Sequence, residues 1–190
     1  TCYAGLARHL LTGTDVKIVT VVGFPLGADR SEVKALATKL AVDEDHVDEV
    51  DMVMNMSAFK SGNYDGVVED IAAVVEAAKP YAVKVIIETC LLSDEEKVKA
   101  CELVAKGGAA FVKTSTGFSK GGATTHDVEI LAREAKRYGI GVKAAGGIRD
   151  YETAKAMIAA GADRIGTSAG VAICEDEAKA TPDIENGERL

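Results

Sequence analysis

The stretch GVKAAGGIRDYETAKAMIAAGADRIGTSAG, residues 141–170, decides the fold that we expect for this chain. Its first five residues form a short apolar run, and a helical pattern follows at Tyr151–Ala160 and is closed by Gly161. A second short run that favours a strand comes at Arg164–Thr167. Strand, helix and strand in this order predict two parallel strands joined by a helical crossover.

The same unit recurs along the chain at a spacing of about 30 residues. Short runs rich in β-branched residues alternate with longer amphipathic runs, and the readable helix ends fall at glycine or proline. Several short runs are apolar on both faces, as strands covered by helices must be. The predicted strands are Val16–Val22, Glu49–Met54, Val83–Glu88, Ala110–Ser115, Gly141–Ala145 and Arg164–Thr167. The predicted helices are Tyr3–Leu11, Ser31–Leu40, Tyr64–Ala78, Asp94–Lys106, His126–Tyr138 and Tyr151–Ala160.

Capping side chains mark the starts of several of these helices. Ser31 is expected to cap the first long helix, and Ser93 with Glu96 forms a capping box for another. Thr125 and Asp150 precede two later helices in the same way. These signals support the order of elements independently of the hydrophobic pattern.

A parallel sheet covered by helices is either a closed barrel or an open doubly wound sheet. No GxGxxG motif follows the first strand, which weakens the case for a dinucleotide-binding open sheet. Polar residues lie at the ends of several strands, as in barrel active sites. We therefore expect a TIM (β/α)8 barrel with about six of the eight strand–helix units present. Residues 1–174 are expected to form this barrel domain without its first strand and most of its second, and residues 175–190 to form a polar tail.

Composition limits the classes of partner. The formal net charge of −8 argues against a nucleic-acid or anionic-membrane binder, because these need a basic surface. The apolar runs fall far short of the roughly 20 residues that a membrane-spanning helix needs. Four scattered cysteines and three histidines give no zinc-type ligand spacing, so we expect no such metal site and a cytoplasmic protein with reduced thiols.

Lysine is rare inside apolar strands, because an unpaired buried ammonium group is costly. The pair Val-Lys nevertheless occurs in or beside four strands, ending at Lys17, Lys84, Lys113 and Lys143. Long apolar runs follow Lys17 and Lys84, so we expect these two at the amino-terminal rim with their ammonium groups in water. Small or hydroxyl residues follow Lys113 and Lys143, which places them nearer the carboxyl-terminal face, where barrel active sites lie. From the residues alone, a functional and a structural role stay equally open for these two.

Two lysines that converge in one barrel have a chemical consequence. A neighbouring cation and partial burial lower the pKa of a lysine, to about 7–8 in catalytic sites. The neutral amine can attack a carbonyl and form an imine, which when protonated draws electrons from an adjacent carbon–carbon bond. Asp51 should point into the barrel if Val50 and Met52 face the helices. It is then either a proton-transfer group or half of a buried structural ion pair.

Glycine-rich segments follow the last two strands and indicate an anion site. Gly146 and Gly147 follow the strand at Gly141–Ala145, while Gly166 and Ser168 end the next one. In barrels, the loops after the last two strands often hold phosphate through backbone N–H groups and a helix N-terminus. Gly117 can add another N–H group. Simple turns are the alternative, since turns use glycine freely.

Eight segments together resemble the deoxyribose-phosphate aldolase family, in its order and spacing, over nearly all of the chain from Asp15 to Ile173. The pair FVKTSTGF and VKAAGGIR is the most specific part of this resemblance. The segments are KIVTVVGFPLGA (17–28), EVDMVMN (49–55), SGNYDGVVEDI (61–71), VKVIIETC (83–90), FVKTSTGF (111–118), GGAT (121–124), VKAAGGIR (142–149) and RIGTSAGVAI (164–173).

The resemblance implies reversible cleavage of 2-deoxy-D-ribose 5-phosphate to D-glyceraldehyde 3-phosphate and acetaldehyde, without metal or cofactor, by a homo-oligomer (dimer or tetramer). It makes Lys113 the Schiff-base lysine, Lys143 the lysine that tunes it, and Asp51 the proton-transfer aspartate. The positions implied for binding the substrate phosphate are Gly117, Gly146, Gly147, Gly166 and Ser168.

The chain departs from the family pattern at several points. Ala169 stands where the family often has a second serine after Ser168, and residues 43–47 replace a glycine-containing entry to the next strand. The expected loss of two strands also bears on activity. Two alternatives therefore stay open: another Schiff-base aldolase acting on a different phosphorylated sugar, and an inactive, phosphate-binding barrel fragment.

Overall fold

The computed structural model describes residues 1–180 and contains one sheet of six parallel strands, whose order in space follows their order in the chain. Helices follow the strands and cover the outer face of the sheet. This is the TIM-barrel architecture with about six of its eight strand–helix units, as the sequence predicts. The strands are β1 (Val19–Val22), β2 (Glu49–Val53), β3 (Ala82–Ile86), β4 (Phe111–Lys113), β5 (Gly141–Ala145) and β6 (Arg164–Gly166).

Eight α-helices lie within the described residues. They are α1 (Ala4–Leu10), α2 (Ser31–Asp43), α3 (Met56–Lys60), α4 (Tyr64–Ala78), α5 (Asp94–Lys106), α6 (Thr125–Tyr138), α7 (Tyr151–Ala159) and α8 (Gly170–Ala180). A short 3₁₀ turn, Thr89–Leu91, follows β3. All six predicted helices are present, with ends within three residues of the predictions.

Two predicted helix starts are corrected by the structure. Ser31 is the first residue of α2 rather than its cap, and its hydroxyl donates instead to Asp70 Oδ1 at 2.8 Å. Thr124, not Thr125, caps α6 by accepting a hydrogen bond from the backbone N–H of Asp127. The Ser93 capping box is present as predicted.

The last helix crosses the predicted boundary between the barrel domain and the tail. Helix α8 runs to Ala180, so the first six residues of the predicted tail, 175–180, are helical. Glutamate, alanine and lysine are good helix formers, which explains a helix without a clear apolar stripe. The remainder of the predicted tail, 181–190, lies outside the described residues.

Strand alternation sorts the side chains into two sets. Val50 and Met52 of β2 point outward and belong to the main hydrophobic core beneath the helices. Residues Glu49, Asp51 and Val53 therefore point to the inner side of the sheet. The same parity places Val83, Val85, Val112, Val142 and Ala144 in the outer core. It leaves Lys84, Lys113, Lys143 and Arg164 on the inner side, and these residues carry the site described next.

Candidate active site

Asp51 is the centre of a buried cluster of lysines on the inner side of the sheet. Its Oδ2 atom accepts hydrogen bonds from Lys113 Nζ and Lys143 Nζ, each at 2.7 Å. The two nitrogen atoms are therefore no farther apart than twice that distance. Asp51 is 2% exposed, and both lysines are buried. The structure thus brings the three predicted catalytic residues into one contact group.

The register of the sheet explains how this cluster forms. Lys113 on β4 lies directly beside Lys143 on β5 in the parallel ladder. Both side chains therefore leave adjacent strands toward the same side at the same height. Asp51 on β2 reaches the pair from across the interior, because β3 separates β2 from β4.

The electrostatics of Asp51 follow from its surroundings. Burial alone would raise its pKa, but the positive charges of Lys113, Lys143 and Lys84 outweigh burial and lower the pKa to about 2. Asp51 is thus a carboxylate at neutral pH, in spite of its apolar strand.

Lys143 experiences the opposite balance. Burial lowers the pKa of its ammonium group, Asp51 opposes that effect, and the positive charges of Lys113 and Lys84 add to the lowering. Within the pair, Lys143 is therefore a group that releases its proton more readily than a free lysine does.

Lys84 is a member of the same cluster, and the prediction that it lies in water at the rim is wrong. Its side chain is fully buried, and Nζ lies 2.9 Å from Asp51 Oδ1 and 2.6 Å from Glu49 Oε2. The parallel register pairs Lys84 with Asp51 on the neighbouring strand. The side chains of the apolar run after Lys84 point alternately outward and inward, so the run does not show how close Lys84 lies to the rim. Lys17, in contrast, has the exposed side chain that the sequence predicts.

Glu49 extends the cluster across the interior of the sheet. It accepts hydrogen bonds from Lys84 and from Arg164 on β6, and it is buried. Burial raises the pKa of Glu49, but the hydrogen bonds and charges of Lys84 and Arg164 lower it overall. Arg164 thereby ties the last strand of the sheet to β2.

A cavity of about 550 Å³ opens above the cluster. All eight residues predicted for catalysis and phosphate binding line it. They are Asp51, Lys113, Lys143, Gly117, Gly146, Gly147, Gly166 and Ser168. Arg149, a cation that the sequence analysis did not assign, also lines the cavity.

The glycines at the cavity mouth adopt backbone conformations that other residues avoid. Gly117, Gly146 and Gly147 have φ angles of +85°, +89° and +81°. Glycine adopts such positive φ angles without strain, so these loops can turn tightly at the cavity mouth. Helix α8 begins at Gly170, two residues after Ser168, and adds the partial positive charge of a helix N-terminus nearby.

Hydrogen bonds hold the loops around the cavity together. Thr167 Oγ1 donates to the carbonyl of Ile148 at 2.7 Å, which joins the loop after β6 to the loop after β5. The N–H group of Ala123 donates to the carbonyl of Gly146 at 3.0 Å, which joins the loop after β4 to the loop after β5. A Cβ atom at Gly122 would lie 2.3 Å from that carbonyl oxygen, so only glycine fits there.

Comparison with known proteins identifies the family. A family model described as DeoC/LacD family aldolase matches residues 2–176. The chain belongs to this aldolase family. Its relatives include the deoxyribose-phosphate aldolase of Clostridium tetani, 60% identical over 175 residues that make up 92% of this chain and 80% of that protein. The enzyme of the same name from a Geobacillus species is 59% identical over 174 residues, or 91% of this chain and 77% of that protein.

Solved structures of aldolases agree with this assignment. A protein described as "QR15, an Aldolase" superposes with a TM-score of 0.88 and 46% identity, over 94% of this chain and 79% of that one. A deoxyribose-phosphate aldolase from Aeropyrum pernix, described as tetrameric, has a TM-score of 0.84 and 35% identity, over 95% and 74%. The barrel predicted from the sequence is therefore the fold of the family.

A buried acid that the sequence did not single out lies beside the aldolase cavity. Glu88 has a left-handed φ of +50°, and its carboxylate accepts hydrogen bonds from the N–H and hydroxyl groups of Thr116. Phe118 stacks edge-on against Phe24, with ring centroids 5.5 Å apart. Thr116 and Phe118 line both the main cavity and a smaller one of about 240 Å³, whose lining is mostly apolar.

Membrane-spanning helices and clustered metal ligands are both absent from the described residues of the aldolase. No helix within residues 1–180 is long and apolar enough to cross a membrane. In the same described part, no group of three or more histidine, cysteine, aspartate or glutamate side chains is placed to hold a metal ion.

Proposed function

We propose that the chain is a class I deoxyribose-phosphate aldolase, which cleaves 2-deoxy-D-ribose 5-phosphate to D-glyceraldehyde 3-phosphate and acetaldehyde through an imine on Lys113. Membership in the aldolase family and the names of relatives about 60% identical to it support the reaction. The observation that carries the mechanism is the contact of Lys113 and Lys143 with one carboxylate oxygen of Asp51.

The first step needs a neutral amine. The lowered pKa of Lys143 eases the loss of one proton from the lysine pair to solvent. Both lysines donate to Asp51 Oδ2, so the remaining proton can pass between them and leave Lys113 as the neutral amine. The Lys113 nitrogen then attacks C1 of the open-chain sugar and forms a carbinolamine. Loss of water from this adduct gives a protonated imine, which acts as the electron sink.

Cleavage follows when the hydroxyl group on C3 loses its proton. The C2–C3 bond breaks, its electrons move into the imine to give an enamine on Lys113, and C3 leaves as the aldehyde of D-glyceraldehyde 3-phosphate. We assign the proton transfer to Asp51, directly or through a water molecule. Protonation of the enamine at C2 and hydrolysis of the imine release acetaldehyde and restore Lys113.

The phosphate of the substrate is assigned to the glycine loops. Gly146, Gly147, Gly166 and Ser168 line the cavity, and α8 begins two residues after Ser168, so their backbone N–H groups are the donors that we assign to the phosphate. Gly117 adds a donor from the loop after β4. Binding the phosphate at a fixed distance from Lys113 would place C1 next to the amine and align the bond to be broken.

The proposed function is tested by a retro-aldol assay on the purified chain. A panel of phosphorylated sugars would be supplied, and aldehyde release would be followed through a coupled dehydrogenase. We expect 2-deoxy-D-ribose 5-phosphate to be cleaved with the highest kcat/KM. Preference for another phosphorylated sugar would favour the second candidate, a Schiff-base aldolase of different specificity.

An inactive phosphate-binding fragment is the remaining alternative. It would show a higher Tm in inorganic phosphate together with no aldehyde release from any sugar of the panel. Turnover above that of a Lys113→Met control would exclude it.

Several broader assignments belong to this proposal. The substrate and product are a phosphorylated sugar and acetaldehyde, and we infer a cytoplasmic homo-oligomer, either a dimer or a tetramer; the related Aeropyrum pernix aldolase is described as tetrameric. The division into a barrel domain at 1–174 that lacks its first strand and most of its second, with a polar tail at 175–190, stays a prediction.

A further inference from the structure

Lys84 is the most deeply buried cation of the cluster, and the proposed reaction gives it no chemical step. Its side chain has no exposed surface, and its Nζ atom contacts two carboxylates, Asp51 Oδ1 at 2.9 Å and Glu49 Oε2 at 2.6 Å. Both carboxylates have lowered pKa values, because nearby cations outweigh the effect of burial. Lys84 is therefore held between two negative charges.

Because of Lys84, the two carboxylate oxygen atoms of Asp51 have different hydrogen-bond partners. Oδ1 is occupied by Lys84, so only Oδ2 is left for Lys113 and Lys143. Two ammonium groups must share one oxygen atom, and each is stabilised less than it would be by a carboxylate of its own. Such crowding favours the state in which one of the two has lost its proton.

The charged side chains of the cluster around Asp51 come from every strand except β1. The cations are Lys84 on β3, Lys113 on β4, Lys143 on β5 and Arg164 on β6, and the anions are Glu49 and Asp51 on β2; exposed Lys17, before β1, lies 3.9 Å from Glu49. Four buried or half-buried cations thus face two carboxylates. A surplus of positive charge in a buried site lowers the cost of releasing a proton from its members.

We propose that Lys84 is a positioning residue for the aldol reaction: its fixed charge occupies Asp51 Oδ1 and forces Lys113 and Lys143 to compete for Oδ2. Glu49, which accepts a hydrogen bond from Arg164, fixes the position of Lys84 through its ion pair with Lys84 Nζ. This inference rests on the proposed function, since it concerns the lysine that forms the imine.

A purely structural role for Lys84 makes a different prediction. If Lys84 only neutralised Glu49 and Asp51, its loss would lower the stability of the fold but leave the pH dependence of imine formation unchanged. In a positioning role, Lys84 and Glu49 act on that pH dependence in opposite directions, because they carry opposite charges.

The test measures how fast acetaldehyde is trapped on Lys113 by cyanoborohydride between pH 6 and about 9.5, across the range in which a tuned lysine titrates. The quantity compared is the pH midpoint of the rising limb. We expect Lys84→Met to raise the midpoint by about one pH unit, because Asp51 then offers both oxygen atoms to the remaining lysines. At neutral pH this corresponds to roughly tenfold slower trapping.

Glu49→Gln is the complementary variant and keeps the size and shape of the side chain. It removes a negative charge beneath Lys84, so we expect the midpoint to fall by up to about one unit. The double variant Lys84→Met with Glu49→Gln should lie between the two single variants. Lys34→Met, which alters a buried lysine outside this cluster, is the matched control and should not move the midpoint.

Circular dichroism and thermal unfolding would confirm the fold of each variant. If Lys84→Met does not fold, Glu49→Gln decides alone, and a midpoint that is unchanged or higher overturns the inference. Equal midpoints in all folded variants would also overturn it. A wild-type chain that gives no adduct on Lys113 would instead refute the proposed function, so the two failures are distinguishable.

Discussion

Two buried lysine–carboxylate groups lie on opposite sides of the same sheet, and they differ in how their charges balance. Behind the sheet, Lys34 of α2 pairs with Asp70 of α4 at 2.6 Å, and both are almost completely buried. Lys34 also donates to the carbonyl of Val53, while Ser31 donates to Asp70. Each polar atom of that pair has a partner, and one positive charge meets one negative charge.

On the inner side, three lysines meet a single aspartate. Lys84, Lys113 and Lys143 all contact Asp51, and the positive charge exceeds what one carboxylate can neutralise. A balanced pair stabilises both charged forms and is therefore unreactive. A surplus of positive charge instead makes it easier for a lysine to lose its proton. The comparison therefore separates a structural lysine from a reactive one by charge balance rather than by burial.

The largest effect should follow from removal of the proposed nucleophile. We expect Lys113→Met to lower kcat for cleavage of 2-deoxy-D-ribose 5-phosphate by roughly 10⁴-fold, as for the loss of a covalent nucleophile. Stability in urea should not fall, because the substitution removes a surplus cation. Retention of more than a small part of the activity would show that another lysine forms the imine.

Asp51→Asn should affect both activity and stability. The variant loses the proton-transfer group, so we expect kcat to fall by roughly 10²- to 10³-fold. It also leaves the lysines without their common counter-ion, which should lower the free energy of unfolding by about 3–5 kcal/mol. Steady-state kinetics and urea unfolding would measure the two effects, and a stable, fully active Asp51→Asn protein would contradict the account.

Lys34→Met tests the balanced pair. It leaves Asp70 buried without a counter-charge, so we expect the free energy of unfolding to fall by about 3–5 kcal/mol. The kcat of the folded enzyme should stay within about twofold of wild type, since Lys34 lies outside the cavity. The double variant Lys34→Met with Asp70→Leu removes both charges and should recover most of the lost stability. Failure of the second change to compensate would mean that the pair is not an independent unit.

The pH dependence of stability gives a smaller but specific signal. The pKa of Asp51 is lowered to about 2 in the folded chain, below its ordinary value of 3.8. Its ionisation therefore stabilises the fold fully above about pH 4, and this contribution is lost as the pH falls toward 2. We expect the stability difference between wild type and Asp51→Asn to shrink by about 2 kcal/mol over that range. A difference that is independent of pH would contradict the lowered pKa.

The smallest effects should come from two matched glycines. Gly147 at the cavity and Gly139 at the end of α6 both have left-handed φ angles, +81° and +69°, and neither has an atom within 4 Å of an added Cβ. Alanine at either position should cost about 1 kcal/mol of stability through backbone strain. Only Gly147→Ala should also raise KM for the phosphorylated sugar, by roughly tenfold, without a similar change for acetaldehyde. Equal KM values in the two variants would remove Gly147 from the phosphate site.

The sequence was sufficient for the fold and for half of the residues that line the cavity. Periodicity and glycine or proline stops located all six strands, because buried parallel strands are short, apolar and bounded by turns. The alternation of Val50, Asp51 and Met52 was enough to point Asp51 inward. Glycines after β5 and β6 were assigned to the cavity because barrel sites form where strands end.

Other parts of the site depend on contacts that no local pattern contains. The residues that flank Lys84 favour a position at the rim, which is wrong, whereas strand alternation gives the correct position. Val83 and Val85 point outward, so Lys84 must point inward. The link between Glu49 and Arg164 joins residues 115 positions apart, and only the curvature of the sheet brings them together. The hydrogen bond of Ser31 to Asp70, which replaces the predicted helix cap, likewise depends on a contact between two helices that no local pattern contains.

The most direct test of the account is to find which lysine carries the substrate carbon. The chain would be incubated with acetaldehyde at neutral pH, reduced with borohydride, and digested for peptide mass spectrometry. We predict one added ethyl group on the peptide that contains Lys113, with Lys34, Lys84 and Lys143 unmodified. An adduct located mainly on Lys143 or Lys84 would contradict the assignment of Lys113 as the amine that forms the imine.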